Sequence, residues 1–261
     1  ATGATIYRGN AFPPGFLDNA FSADAGGNLV HRKIVYQEGL DLKAARPADE
    51  QKVEFLASSD TWFRPTQFAN APDGAFYVID MYREIIEHPW SLPEEIKKHL
   101  DLNSGNDRGR IYRIVPEGFK QPRLPRLGDA STAKLVETLE HPNGWHRDTA
   151  ARLLYERQDR KAVPRLVRMI GRSKSPYGRM HALYALDGLG MLQEKQVLAG
   201  LKDSDELVRL HAVRLSEKVL DNGKASPALW SQLRRMTADP SINVVYQLAF
   251  TLGEIQHPER S

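Results

Sequence analysis

Two arginines, a carboxylate and two aromatic rings bracket a pair of closely spaced strands: Trp62 and Arg64 at the start of one, and Asp80, Tyr82 and Arg83 at the end of the next. Residues of these types on adjacent loops suit the binding of a polar ligand, because loops held by a rigid scaffold are where binding groups collect. An earlier segment repeats the arrangement with Asp24, Asn28, His31 and Arg32. Other chemistries find less in the chain. A hydrolase would draw on His31 or His88 with Asp80, but neither G-x-S-x-G nor H-E-x-x-H occurs. His181 and His211 stand in register without a third ligand, so no metal site is expected. The loop Asn103–Gly109 offers Asp and Asn oxygens to an anion or calcium ion, yet lacks the D-x-D-x-D-G order and is expected to be a plain turn. Cysteine is absent, which removes thiolate metal ligands, a Cys nucleophile, disulfides and covalent haem attachment.

The elements that must position these residues are β-hairpins. Between Thr61 and Asp80 two apolar runs flank Asp73-Gly74, a pair that favours a type I′ turn with both central residues at positive φ. A weaker copy is read at Asp18-Asn19. Strands are expected at Ala20–Asp24, Asn28–Tyr36, Lys52–Ala57, Phe63–Ala69, Ala75–Asp80 and Gly109–Val115. In four-stranded up-and-down blades they would be second, third and fourth strands, then first, second and third of the next. Thr5–Phe16 supplies the missing first strand only loosely. The start of Phe63–Ala69 and the end of Ala75–Asp80 then lie on one face near the propeller axis, beside an insertion from Met81 to Arg108 that carries a helix at Glu94–Leu100. Flanks left bare by so few blades call for a cover: the following helices, the insertion, or a second copy of the chain.

From Ser131 the period becomes 3.6. Leu135, Val136 and Leu139 form one stripe and Ala150, Leu153 and Leu154 the next. The pattern Arg147-x-x-Ala150 recurs at Arg179/Ala182 and Arg209/Ala212 and, degenerately, at Tyr246/Ala249. First helices are expected at Val163–Ile170, Val197–Leu201 and Leu229–Met236, each pairing with a second helix that carries the Arg and Ala. Such units must stack to bury their faces. The small Ala admits close helix approach, and the Arg reads as a structural rung to an adjacent turn such as Asp203 or Asp205. The expected fold class is therefore α+β and multidomain. It comprises a partial β-propeller of about two antiparallel blades over 1–118, a linker at 119–130, and an α-solenoid over 131–261 of about four units that resemble HEAT repeats.

With 26% charged and 41% hydrophobic residues the composition is that of a soluble globular protein. No apolar run approaches the ~20 residues of a membrane span. A net charge of +3, with basic and acidic residues interleaved, shows no clustered basic face, so nucleic acid is not an expected partner. The start Ala-Thr-Gly, without Met or a signal-like core, is expected of a processed or excised segment.

Several strings carry a resemblance: Tyr7-Arg8-Gly9-Asn10-Ala11-Phe12-Pro13, Gly27-Asn28-Leu29-Val30-His31-Arg32, Trp62-Phe63-Arg64-Pro65, Pro72-Asp73-Gly74-Ala75-Phe76-Tyr77-Val78, Asp80-Met81-Tyr82-Arg83, His88-Pro89 and Gly109-Arg110-Ile111-Tyr112-Arg113-Ile114. With the helical half behind them they resemble membrane-bound dehydrogenases of planctomycetes and verrucomicrobia. The propeller of that family is similar to glucose/sorbosone dehydrogenases that use pyrroloquinoline quinone (PQQ) and calcium, and is followed by HEAT repeats. The resemblance implies a periplasmic or secreted protein and a cofactor site drawn from Arg64, Asp80, Tyr82, Arg83, His31 and Arg32. Arg64 would pair with a cofactor carboxylate, and Tyr82 and Arg83 would shape the rim. The family's general base lies in an early blade that this chain does not contain, and no catalytic residue is assigned. Two functions follow: a piece of a quinoprotein-like sugar or alcohol dehydrogenase that is inactive alone, or a scaffold that binds protein or glycan. A protein partner on the solenoid, a carbohydrate and a second copy of the chain are the expected partners.

Overall fold

β-branched and aromatic residues between Gly, Pro and Asn turns produce most of the eight strands among the described residues of the computed structural model, which are residues 2–257 and 259. They are β1 (Ala4–Ile6), β2 (Ala20–Asp24), β3 (Leu29–Glu38), β4 (Asp41–Ala45), β5 (Leu56–Ala57), β6 (Pro65–Asn70), β7 (Phe76–Asp80) and β8 (Arg110–Ile114). The first sheet runs β1-β2-β3, with β4 pairing the far half of β3 and β5 pairing its start; the second runs β6-β7-β8. Every pairing is antiparallel. The region 1–124, with Asn143–Trp145, forms one compact unit, and Pro125–Pro142 with His146–Ser261 forms the other. Residues 1, 258, 260 and 261 of the expected domains lie outside the described residues.

The sheet unit is centred on aromatic packing. Tyr7, Phe21, Phe63, Phe68 and Phe76 are buried with Val30 and Val78, and Phe12, Phe16 and Phe55 pack against them. The Tyr7 hydroxyl donates to the Gly74 carbonyl (2.6 Å) and accepts from the Ala11 and Phe12 amides (3.0 and 3.1 Å). Burial pushes its pKa up, against the pull of those two N–H groups. One buried phenol thus ties the loop after β1 to the β6–β7 turn. The two sheets also meet at their first strands: Thr2 Oγ1 donates to the Pro65 carbonyl (2.7 Å) and Asn70 Nδ2 to the Ile6 carbonyl (2.9 Å).

Several expectations change here. The β6–β7 hairpin forms, but not through a type I′ turn. Gly74 alone has positive φ (81°), and its amide donates to the Ala71 carbonyl (2.9 Å), so Pro72-Asp73 make the turn and Gly74 closes it. Pro72 holds φ negative at the first corner and thereby selects the longer loop. Asp18, at φ 61°, ends the long loop between β1 and β2 rather than turning a tight hairpin. The first strand is Ala4–Ile6, earlier than the Gly/Pro-rich stretch. Only Leu56–Ala57 remain of the strand expected at Lys52–Ala57. Arg46 donates to the Glu50 and Val53 carbonyls (2.9 and 3.0 Å) and pairs with Glu54, curling the segment into a loop. The hairpin β3–β4 was not expected. Its Gly39, at φ 61°, allows the reversal. The helix in the insertion is one turn, α1 (Glu94–Lys97), and Asp101 then starts successive turns through Arg108.

The helical unit contains α2 (Thr132–Thr138), α3 (Gly144–Arg157) from His146 onward, α4 (Val163–Arg172), α5 (Pro176–Gly188), α6 (Glu194–Gly200), α7 (Glu206–Ser216), α8 (Pro227–Arg235) and α9 (Ile242–Glu254). Ser131, Ser175, Asp205 and Ser226 cap α2, α5, α7 and α8 by accepting first-turn amides. Helices α2, α4, α6 and α8 form one row and α5, α7 and α9 a second, with α4 on α5 and α6 on α7 between them. A Cβ on Gly200 would lie 2.8 Å from the Ala212 methyl, which shows how closely α6 and α7 approach. The recurring pattern is corrected in α9. Counting from the residue before each helix (Ser175, Asp205, Ser241), Arg sits four positions on and Ala seven, so the matching residues are Val245 and Leu248. Leu248 is buried where Ala249 is exposed.

Candidate functional site

Arg64, Asp80, Tyr82 and Arg83 share one hydrogen-bonded cluster at the β6 and β7 ends. Asp80, only 1% exposed, accepts the Arg64 and Tyr82 amides at Oδ1 (both 2.8 Å). Its Oδ2 is buried without a hydrogen bond among the described residues. Arg64 sends three donors to backbone carbonyls: Nε to Arg83 (2.9 Å), and its two terminal nitrogens to Ala25 and Glu84 (2.8 Å each). Arg64 is therefore a clamp that binds the β2–β3 turn to the chain leaving β7. Arg83 donates to the Asn103 carbonyl (3.0 Å) and so holds the insertion's return loop.

The rings form an outer layer. Tyr82, at φ 50°, donates its hydroxyl to Asp60 Oδ2 (2.9 Å), sets its ring at a 59° tilt with its centroid 5.6 Å from that of Trp62, and lies 3.6 Å beneath the Arg110 guanidinium. The Trp62 amide, then the Tyr82 hydroxyl, hold the Asp60 carboxyl below its usual range, and the same bond to Asp60 raises the Tyr82 phenol. Arg110 and Asp60 carried no signal in the sequence, since each joins the cluster through its contact with Tyr82, whose partners lie on separate segments. Gly105, at φ 84°, presses against the Tyr82 carbonyl, where a Cβ would be 2.3 Å away.

His31 and Arg32 belong to a different network. Neighbours on a strand point to opposite faces. His31 Nδ1 lies 2.6 Å from Glu54 Oε2, while Arg32 pairs with Glu50 (2.8 Å) and covers the Phe16 ring (4.0 Å). Burial pushes the Glu54 carboxyl up, but the bonds from Arg46 and His31 outweigh it and hold its pKa low. Asp24 caps its own turn through the Gly26 and Gly27 amides, and Asn28 donates to the Thr61 and Phe63 carbonyls. His88 accepts from the Trp90 amide. Neither His31 nor His88 bonds Asp80.

PQQ and calcium would need free cations for the quinone carboxylates and about six to eight oxygens around the ion. Arg64 is committed to three carbonyls, Arg32 to Glu50 and His31 to Glu54. No group of three His, Asp or Glu side chains converges as a metal holder among the described residues. The residues present do not fit these groups as arranged.

In the helical unit the recurring arginines make a ladder. Arg179 forms a bidentate pair with Asp203 (2.6 and 2.7 Å), and Arg209 with Asp239 (2.8 and 3.0 Å). Each aspartate also accepts the amide two residues on, from Asp205 or Ser241. A third member, Arg147, donates to the His141 and Pro142 carbonyls and lies 4.2 Å from the Tyr177 ring, because Ser173 stands where the other turns have aspartate. These arginines are rungs. His211 Nδ1 lies 2.8 Å from the Tyr184 hydroxyl, and burial, then the Arg214 charge, lowers its pKa.

A groove of about 700 Å³ opens between α2 and α4. Arg165, Arg168 and Arg172 project along it at i, i+3 and i+7 of α4, followed by Lys174. The sequence showed no clustered basic face because these residues are spread among apolar ones; the helix gathers them on one side.

A model of a domain of unknown function, DUF7133, matches residues 1–118, and a model of HEAT repeats matches residues 132–217. No curated protein matches the chain. No helix among the described residues is long and apolar enough to cross a membrane. An antiparallel-sheet region similar to DUF7133 is thus followed by a helical region that carries HEAT repeats.

Proposed function

We propose that this chain is a binding scaffold whose helical unit holds a protein partner and whose sheet unit is a propeller remnant. The observation that carries the scaffold reading is the stacked helix pairs with their Arg179–Asp203 and Arg209–Asp239 rungs. Bidentate pairs between successive repeats hold neighbouring helices in register, which suits a surface that must be preformed for a partner. HEAT repeats commonly mediate protein interaction. The propeller reading is supported by two up-and-down meanders, β1-β2-β3-β5 and β6-β7-β8, whose first strands lie side by side.

Committed side chains favour the scaffold over catalysis. The cluster around Arg64 and Asp80 is bonded to loop backbone, as a structural clamp requires. The test is photo-crosslinking from benzophenone placed at exposed positions of the helical unit such as Tyr246 and Lys174, in extract of the native cell, beside a dye-linked assay with PQQ, calcium, sugars and alcohols. One protein trapped reproducibly, with no turnover, is the expected result. Sugar or alcohol oxidation by the purified chain would overturn it.

A further inference from the structure

We propose that the groove between α2 and α4 is a docking site for an acidic, partly apolar peptide segment of a protein partner; this rests on the scaffold reading. The first observation is unbalanced charge. Arg165, Arg168, Arg172 and Lys174 line one wall, and none of their side chains makes an ion pair or hydrogen bond among the described residues. On the facing wall Lys134 is paired with Glu137, and elsewhere in the unit Arg152, Arg179, Arg209 and Arg234 each hold a carboxylate. Helix α4 reads V-P-R-L-V-R-M-I-G-R and contains no acid.

The second observation is that this stripe opposes the stability of its own helix. Arg165 is the third residue of α4, at the positive end of the helix dipole, where a cation is unfavourable. Arg168 repels both Arg165 at i−3 and Arg172 at i+4. No ion pair among the described residues relieves that repulsion, and of the two facing glutamates Glu137 is already held by Lys134. An anion in the groove would relieve it.

The groove also states what kind of anion it takes. Its other wall carries Glu137 and Glu140, and its base includes Val136 and Met169, both nearly buried. A phosphate polymer would meet two carboxylates and no stacking ring, and a membrane surface is flat. A peptide that alternates acidic and apolar residues places its carboxylates on the arginines and its apolar side chains on Val136 and Met169. Complementary charge of this kind sets specificity and association rate.

The experiment measures fluorescence anisotropy of a labelled Glu-Glu-Leu repeat peptide with the full chain, beside a Lys-Lys-Leu peptide, duplex DNA and phosphatidylserine vesicles. The acidic peptide is expected to bind, to weaken as salt rises, and to weaken about tenfold or more in R165E/R168E/R172E. These side chains are exposed, so the variant should keep its thermal transition. Arg168→Glu with Lys174→Glu gives a second variant with one change outside the helix, and Glu137→Gln should tighten binding a few-fold. Failure of the acidic peptide to bind, equal binding to both variants, or tighter arginine-dependent binding of DNA or vesicles would each overturn the proposal. A partner trapped by crosslinking but lost only in Tyr246→Glu would sink the groove and leave the scaffold standing. Peptide binding without any trapped protein would do the reverse.

Discussion

The two units use arginine in opposite ways. In the sheet unit each arginine is singular: Arg64 reaches three carbonyls in two separate loops, and Arg46 curls one segment by binding two more. In the helical unit the same side chain recurs at a fixed distance from the starts of α5 and α7 and meets an aspartate in the same geometry. Irregular loops leave carbonyls unpaired, and a long branched donor satisfies them at a distance. Helices pair their own carbonyls, so the recurring arginine is free to link one repeat to the next. One unit is held by locks made once, the other by a contact made repeatedly.

Four measurements would break or sharpen that contrast. Leu183→Ala removes a fully buried side chain between α5 and α6, and should cost about 2–5 kcal/mol, read as faster amide exchange in α5 and α6. Gly74→Ala strikes a lock. Its φ of 81° and a Cβ only 2.2 Å from Asn10 Oδ1 should cost about 1–3 kcal/mol, read as exchange in β6 and β7. If each change loosened both units equally, the contrast would be wrong.

Asp239→Asn weakens one rung and should cost about 1–2 kcal/mol in urea unfolding, since the bidentate pair is largely but not wholly buried. Burial pushes the Asp239 carboxyl up, but Arg209 and the Ser241 amide outweigh it and hold its pKa low. Its contribution is therefore complete above the unfolded value near 4 and is lost as pH falls through the lower folded value. The variant should lose less stability than the parent over that acid range; an identical slope would remove the rung's electrostatic role. Smallest is Ser226→Ala, which deletes the α8 cap and should cost about 1 kcal/mol. A cost as large as that of Leu183→Ala would mean the repeats depend on caps rather than stacking.

The helical unit was legible where its signals are local. Arg179 and Arg209 could be read as rungs, and Asp203 or Asp205 named as a partner, because helical period and turn composition recur along the chain; of the two, Asp203 holds Arg179. The register failed only at α9, where Val245 and Leu248 replace the Arg and Ala and the signal slips by one residue. In the sheet unit β2 and β7 were visible through apolar patterning, while Lys52–Phe55 misled. Its alternation suits a strand, but Arg46 competes for the backbone and wins. Among the candidate site residues, the proximity of Arg64, Asp80, Tyr82 and Arg83 followed from hairpin ends. Their commitment to backbone carbonyls could not be read, since it depends on loops far apart in sequence.

By itself the amino-acid order determined periodicity: hairpins in the first half, repeating helices in the second, and small residues where helices must meet. Propensity, turn chemistry and side-chain spacing act within a few residues, and each leaves a mark that can be read in place. Tertiary structure alone decided which carbonyls Arg64 would hold, that Tyr7 would reach Gly74, and that three arginines of α4 would face two glutamates across a groove. Those outcomes depend on segments distant in the chain arriving at one point, and hydrogen bonds and charge pairs take whatever partner packing brings within reach.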